Sequence, residues 1–237
     1  MKEQLKEIPI LGSVTAFIYG KLTEYPALPL FFPGSEDYWE ERYAAGGTSG
    51  VGSYGKFAHF KADVLNDFVE NQQIGSVIEF GCGDGNQLEL AEYPMYTGYD
   101  VSETVIELCR ERFSDDPKKR FRLMEEYSGE QAELALSLDV IYHLTEDDVF
   151  HDYMEQLFRA STRYVCIYSS NRKSSAFYAH VRHRQFTDWI RRYTSDWKLM
   201  KHIPNRYPYR WHHKSGSFAD FYIFKKGFRK KRSVSLE

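Results

Sequence analysis

Cysteines and long apolar runs are scarce in this chain. Its 237 residues include three cysteines, Cys82, Cys109 and Cys166. They are widely spaced and form no CxxC pair, which argues against a disulfide framework or a zinc site and fits a reducing compartment. The longest nearly uncharged apolar stretch, residues 8–20, is shorter than the ~20 residues a membrane-spanning helix needs and is broken by Pro9, Gly12 and Ser13. Lys2, Glu3, Lys6 and Glu7 mix both signs where a secretory segment would be basic and then apolar. These absences predict a cytoplasmic protein with no transmembrane segment.

What is present is enough apolar material, 42% of residues, for one sizeable core. The net charge of -3 conceals an asymmetry: residues 1–162 carry 13 basic and 30 acidic side chains, whereas residues 163–237 carry 18 basic and 4 acidic. A basic C-terminal third implies an anionic partner, whether a phosphorylated small molecule, a nucleic acid or a membrane surface. Composition does not choose among these.

Three segments are expected: an N-terminal arm and lid over residues 1–55, a main domain over 56–226 and a basic tail over 227–237. Pro9, Pro26, Pro29 and Pro33 predict an irregular arm to about residue 36. Residues 38–55 are aromatic and then glycine-rich, the composition of a mobile loop that exposes its backbone. Phe57, Phe60, Val64, Leu65, Phe68 and Val69 recur at helical spacing and predict a helix over roughly 56–72. Strands are expected at 76–80, 96–99, 121–124, 134–138, 164–168, 197–203 and 218–224, with helices at 103–113, from about 146 with Thr145 as N-cap, and at 186–193. Seven strands with intervening helices predict an open, doubly wound, Rossmann-like α/β sheet.

The strongest local signal is Glu79-Phe80-Gly81-Cys82-Gly83-Asp84-Gly85, in which alternating glycines join a buried strand to an expected helix. Asn86 stands where the dinucleotide fingerprint needs its third glycine, so the pattern is GxGxG and not GxGxxG. A pyrophosphate needs the close helix N-terminus of the longer motif, whereas a nucleoside without phosphates does not. Asp100, ending the second strand, is placed to accept hydrogen bonds from both ribose hydroxyls, and Glu79 is placed for an ammonium group. An adenosyl ligand bearing an amino acid satisfies both. Residues 50–56 match the start of a phosphate-binding loop, but Phe57 replaces the required Ser or Thr and no buried strand precedes it.

On that glycine turn, on Tyr99-Asp100-Val101-Ser102 and on Leu136-Ser137-Leu138-Asp139-Val140-Ile141-Tyr142-His143-Leu144, the chain resembles the class I S-adenosylmethionine (SAM) dependent methyltransferases over residues 38–224. The resemblance implies a last strand antiparallel to the rest, SAM as cofactor and S-adenosylhomocysteine (SAH) as product. It places Gly81, Gly83 and Gly85 along the methionine part of the cofactor and adds Cys82, Asp84, Val101 and Leu138 to the cofactor site. Glu125, Glu126 and Tyr127 follow the third strand, where related enzymes contact adenine. Sequence does not tell which of them points inward, and Glu126 is carried forward as the candidate.

Methyl transfer needs a nucleophile aligned behind the methyl group in a closed, dry pocket. Tyr38, Trp39, Tyr43 and Tyr54 offer faces to a cation and Arg42 offers a guanidinium to an anion, although the same aromatics would also anchor the arm to the core. Asp139 and His143 follow the fourth strand, whose carboxyl end borders the ligand crevice. His143 is read either as the base that takes a substrate proton or as a structural histidine, and Asp139 either as a catalytic group or as a shaper of the turn. His180, Arg182 and Arg184, with Tyr207, Tyr209, Arg210, His212 and His213, line the acceptor side or form a solvated basic surface. The pairs His180/His183 and His212/His213 lack an accompanying Cys, Asp or Glu cluster, so no metal is expected.

Residues 138–141 carry neither the Pro-Pro-aromatic signature of exocyclic-amine methylation in nucleic acids nor the Pro-Cys pair of cytosine-ring methylation. This favours an oxygen or nitrogen on a small, anionic acceptor. Residues 38–43 and 46–55 also look like segments of small methyltransferases of bacterial capsule and surface-polysaccharide pathways, among them enzymes of phosphoramidate or phosphorylated precursors. The rival expectations are a nucleic-acid methyltransferase using the basic tail on phosphates and a noncatalytic SAM-binding subunit.

Overall fold

The computed structural model describes residues 32–175, 179–209 and 216–227. The expected arm up to residue 31, the tail from residue 228, and Arg210, His212 and His213 lie outside the described residues.

Five parallel strands come first: β1 (Val77–Phe80), β2 (Tyr96–Asp100), β3 (Lys119–Leu123), β4 (Ala132–Leu138) and β5 (Ser161–Ser169). A two-stranded ribbon, β6 (Ser174–Ser175) with β7 (Arg182–His183), stands apart from them. β8 (Trp197–Ile203) and β9 (Asp220–Lys226) complete a seven-stranded sheet of order β3-β2-β1-β4-β5-β9-β8, with β9 antiparallel to both neighbours. Strand order reverses between β1 and β4, and in open α/β sheets the ligand crevice lies at such a switch point, outside the carboxyl ends of the strands.

β1 is buried along its whole length and β4 nearly so, because helices cover both sheet faces. On one face α2 (Gly55–Asn71) seats Phe60, Leu65 and Phe68 against Val77, Leu134, Leu136 and Tyr164. On the other, α4 (Asp147–Arg159) and α5 (Phe186–Tyr193) bring Met154, Leu157, Phe158 and Trp189 onto Ile78, Phe80, Val165 and Ile167. The two remaining helices, α1 (Ser35–Ala44) and α3 (Glu103–Arg112), lie nearer the crevice. None of the described helices is long and apolar enough to cross a membrane.

Three expectations are corrected. The loop expected over residues 38–55 is half helical, since α1 carries Glu36 and Asp37 in its first turn and Arg42 in its last, matching the helix dipole. No α-helix follows the glycine turn: the chain makes a single 3₁₀ turn at Leu88–Leu90 and runs to Pro94, and buried Leu88 and Tyr93 pin this short link to the core. α4 begins at Asp147 with Glu146 as its N-cap residue, not Thr145, because Glu146 is drawn out of the helix by Ser35.

Leu65 is fully buried at the centre of the α2 face. Leu65→Ala is expected to lower unfolding free energy by about 2–5 kcal/mol, read from urea denaturation.

Candidate active site

The glycine turn leaves β1 with Gly81, Gly83 and Gly85 all at positive φ. At Gly83 the requirement is also one of space: a Cβ there would run into Ser49 Oγ and stand 3.2 Å from Tyr43 Oη. The turn satisfies its own backbone. The N–H groups of Gly81 and Cys82 donate to the carbonyl of Tyr99, Gly83 N–H to Asp100 Oδ2, Asp84 N–H to Ser49 Oγ and Asn86 N–H to Asp84 Oδ1.

Asp100 closes β2 and is 7% exposed. Oδ2 accepts from Gly83 N–H at 2.9 Å and Oδ1 from Ser102 N–H at 3.2 Å, and the Val101 N–H also favours the charged form. Burial pushes its carboxyl up to about 6, against the hydrogen bonds that favour the charge. Val101 beside it exposes 37% of its surface, an apolar face next to the carboxylate. Glu79 is deeper, accepts from Tyr96 Oη at 2.7 Å, and is raised by burial to about 7 although Tyr96 and the Lys61 ammonium pull it down.

Asp84 ties the 48–54 loop over the turn. Its Oδ2 accepts from Ser49 N–H at 2.8 Å and from Tyr54 Oη at 2.7 Å, which helps hold the Tyr54 phenol up at about 12 after burial. α1 is fastened at both ends and in the middle. Ser35 N–H donates to Glu146 Oε1, Glu40 accepts from Thr104 at the start of α3, and Tyr43 Oη pairs with Ser49 Oγ at 3.0 Å.

At the exit of β4, Asp139 holds φ at +63°, a conformation few non-glycine residues adopt. Its carboxylate accepts from Lys61 Nζ at 2.9 Å and Tyr142 Oη at 2.8 Å. Gly52 of the loop approaches so closely that a Cβ would stand 2.7 Å from Asp139 Oδ2. His143, four residues on, sits in a ring of aromatic groups: Trp39 edge-on at 4.9 Å, His180 stacked at 5.6 Å and Tyr142 at 4.6 Å. Its Nδ1 lies 2.9 Å from the carbonyl of His180. Burial lowers both imidazoles to about 4, with the Arg42 guanidinium adding to the effect.

The structure thus brings Tyr38, Arg42, Tyr43, Tyr54, Asp139, His143 and His180 to one mouth, with Tyr38 stacked on His180 at 4.6 Å. Arg182 and Arg184, expected beside an anionic acceptor, are engaged elsewhere. Their guanidiniums bind the carbonyls of Leu144, Thr145 and Glu146 and the carboxylate of Asp147, fixing the turn into α4. Glu126 stands on the surface, 47% exposed, where it caps its own turn through Leu123 N–H and faces Arg110 at 3.8 Å. Leu138 is 6% exposed and packs into the α2-side core.

Sequence reasoning passed over Lys61 and Ser49. Lys61 had a signal, a charge in the middle of the stripe Phe57, Phe60, Leu65 and Phe68. Ser49 had none, because its partners on the glycine turn are 34 and 35 positions away in sequence.

The raised acids set a pH dependence. Between the ordinary carboxyl value of 3.8 and about 6, folded Asp100 holds a proton that the unfolded chain has released. Its contribution to stability therefore falls as pH rises through that window, and the ionised form carries its full burial cost above it. Urea midpoints of wild type and Asp100→Asn, compared at pH 5 and pH 8, should show a smaller fall in the variant.

The profile of the methyltransferase-domain family matches residues 54–210. No curated protein matches the chain by sequence. Among solved structures, N-methyltransferase NodS from Bradyrhizobium japonicum WM9 in complex with SAH superposes with a TM-score of 0.65 at 13% identity, covering 81% of this chain and 98% of that one. Magnesium protoporphyrin IX methyltransferase from Synechocystis PCC 6803 with bound SAH gives 0.60 at 12% identity with the same coverage. The methyltransferase domain of bacterial CtHen1 gives 0.55 at 18%, covering 71% of this chain and 98% of that domain. The residues present fit an adenosyl amino acid: Asp100 ends β2 as a buried acceptor, Val101 offers an apolar face beside it, and further buried acids lie near the strand ends. With the family profile covering most of the chain and the seven-stranded sheet in its characteristic order, this protein belongs to the class I SAM-dependent methyltransferases.

Proposed function

We propose that the enzyme transfers the methyl group of SAM to an oxygen or nitrogen of a small acceptor bearing an anionic or phosphorylated group, with His143 taking the proton. The observation that carries this reading is the state of His143. A carbonyl only accepts, so Nδ1 carries the ring proton towards His180 and Nε2 carries the lone pair. No described residue donates to Nε2, and burial keeps the ring neutral at pH 7. The neutral ring offers its Nε2 lone pair at the end of the strand that borders the crevice, and burial makes it a weaker base than a free imidazole.

SAM, when bound, supplies an electrophilic methyl on a sulfonium. Asp100 would hold the ribose hydroxyls with Val101 against the base, and the glycine turn from Gly81 to Gly85 would line the methionine part. Tyr43, Tyr54 and Ser49 close the loop over that turn and exclude water. Arg42 faces the acceptor: its Nε is bound to the carbonyl of Thr48 at 2.7 Å, and its terminal nitrogens have no hydrogen-bond partner among the described residues. It therefore replaces Arg182 and Arg184 as the cation for an anionic acceptor. The likeness of residues 38–43 and 46–55 to surface-polysaccharide methyltransferases supports a capsule precursor as that acceptor.

Incubation with methyl-labelled SAM and fractionated extract, followed by separate nuclease and phosphatase treatments, tests the acceptor class. Label that resists nuclease and shifts with phosphatase supports the reading, whereas label retained in RNA overturns it. With SAM saturating, kcat/KM should stay level from pH 8 to pH 6 and fall only as pH approaches about 4, where His143 protonates. His143→Ala should lower kcat by about 10²–10⁴-fold with SAH affinity unchanged. Arg42→Glu should raise the acceptor KM, and Arg182→Glu should leave it unchanged.

A further inference from the structure

Arg182 and Arg184, engaged by the 144–147 turn, are one part of the basic C-terminal third. Another part gathers along the sheet edge formed by β8. There Lys198 lies directly opposite Lys225, and Trp197 opposite Lys226. Lys225 in turn pairs with Tyr164 near the start of β5, so the cluster begins at the amino end of the parallel strands, away from the crevice at their carboxyl ends. Gly227 N–H donates to the carbonyl of Asp196 beside β8, and from Gly227 the sequence continues as Phe228-Arg229-Lys230-Lys231-Arg232.

Like charges directly opposite on neighbouring strands cost stability. No carboxylate of β8 or β9 offsets this cost, since Asp220, the only one they carry, pairs with His202 at the far end. Lys225 lies instead against the Tyr164 ring, and Lys226 against the Trp197 ring and the Ser161 carbonyl. β3, the other edge of the same sheet, differs: its Lys119 and Arg122 meet the carboxylates of Asp116 and Glu130. The β8 edge therefore retains its positive charge where the β3 edge balances it.

The form of the edge selects its occupant. β8 exposes residues 198–202, with Leu199 51% and Met200 45% exposed between Lys198 and Lys201. The register shifts between Leu199 and Lys201, which makes Met200 the extra residue of a bulge. A bulge and two lysines blunt an edge against strand addition, and a second copy of this edge would bring lysine against lysine. The apolar side chains between the lysines are aliphatic, not the aromatic groups on which unpaired bases stack. Aliphatic groups flanked by ammonium groups match a lipid surface, where the first enter the headgroup boundary and the second meet the phosphates.

We infer that the β8 edge, residues 198–201 with Lys225 beside them, docks on an anionic lipid bilayer, Leu199 and Met200 entering the interface and residues 228–232 adding charge. No residue of the crevice takes part, so docking and methyl transfer are separable.

Co-sedimentation of the full chain with vesicles provides the test, using phosphatidylcholine alone and an equimolar mixture of phosphatidylcholine and phosphatidylglycerol. Wild type should partition onto the mixed vesicles, less so as salt is raised, and not onto phosphatidylcholine. At about fivefold per lysine, Lys198→Gln with Lys201→Gln should lower that partitioning roughly 10- to 30-fold. Leu199→Ser with Met200→Ser should lower it at least about fivefold and leave binding to single-stranded poly(U) unchanged. These side chains are exposed, so both double variants should keep the wild-type urea midpoint. Equal binding to the two vesicle types, no binding to the mixed vesicles, or undiminished binding by either double variant overturns the assignment. Tighter wild-type binding to poly(U) than to the mixed vesicles overturns it in favour of a nucleic acid.

Discussion

Burial of negative charge at the carboxyl ends of β1, β2 and β4 is the constraint on which the rest of the site depends. Glu79, Asp84, Asp100 and Asp139 converge there because the strand order reverses between β1 and β4 and brings three strand ends to one crevice. Each acid is held by a different device. Asp100 takes backbone N–H groups, Asp84 takes the loop above it, Glu79 takes a tyrosine, and Asp139 takes buried Lys61. The carboxyls of Asp100 and Glu79 remain raised in spite of their hydrogen bonds, because burial outweighs them.

The same charges organise what lies over the crevice. Without Asp84 the 48–54 loop would lose the acceptor for both Ser49 and Tyr54, and the turn's Gly83 would lose the seat on which Ser49 rests. α1 adds to that cover, and its Trp39 and Tyr38 pack on His143 and His180. Asp84 holds the loop over the glycine turn, and the Ser35–Glu146 contact fixes the start of α1.

The absence of a helix after the glycine turn has a wider consequence. In the longer dinucleotide motif a helix N-terminus supplies positive potential to a bound anion. Here the link to β2 is too short and too well anchored by Leu88 and Tyr93 to form one. The buried cation nearest this link is a side chain, Lys61, which α2 carries in an otherwise apolar face and pairs with Asp139.

Local pattern determined much of this protein by itself. The alternation of buried strands with helical stripes gave the doubly wound sheet, because each element's burial is written in its own periodicity. The GxGxG turn, Asp100 and the segment around Asp139 and His143 were equally legible, since strand-end positions map directly onto the crevice. Other features depended on partners far away in sequence. The helical state of residues 35–44, the capture of Glu146 by Ser35 and the engagement of Arg182 and Arg184 by the 144–147 turn follow from tertiary contacts. Only the tertiary structure decided that Arg42 stands beside the histidines and that Lys61 is buried against Asp139. Charge composition records how many cations a segment carries, whereas folding decides which of them lose water and which anions they meet.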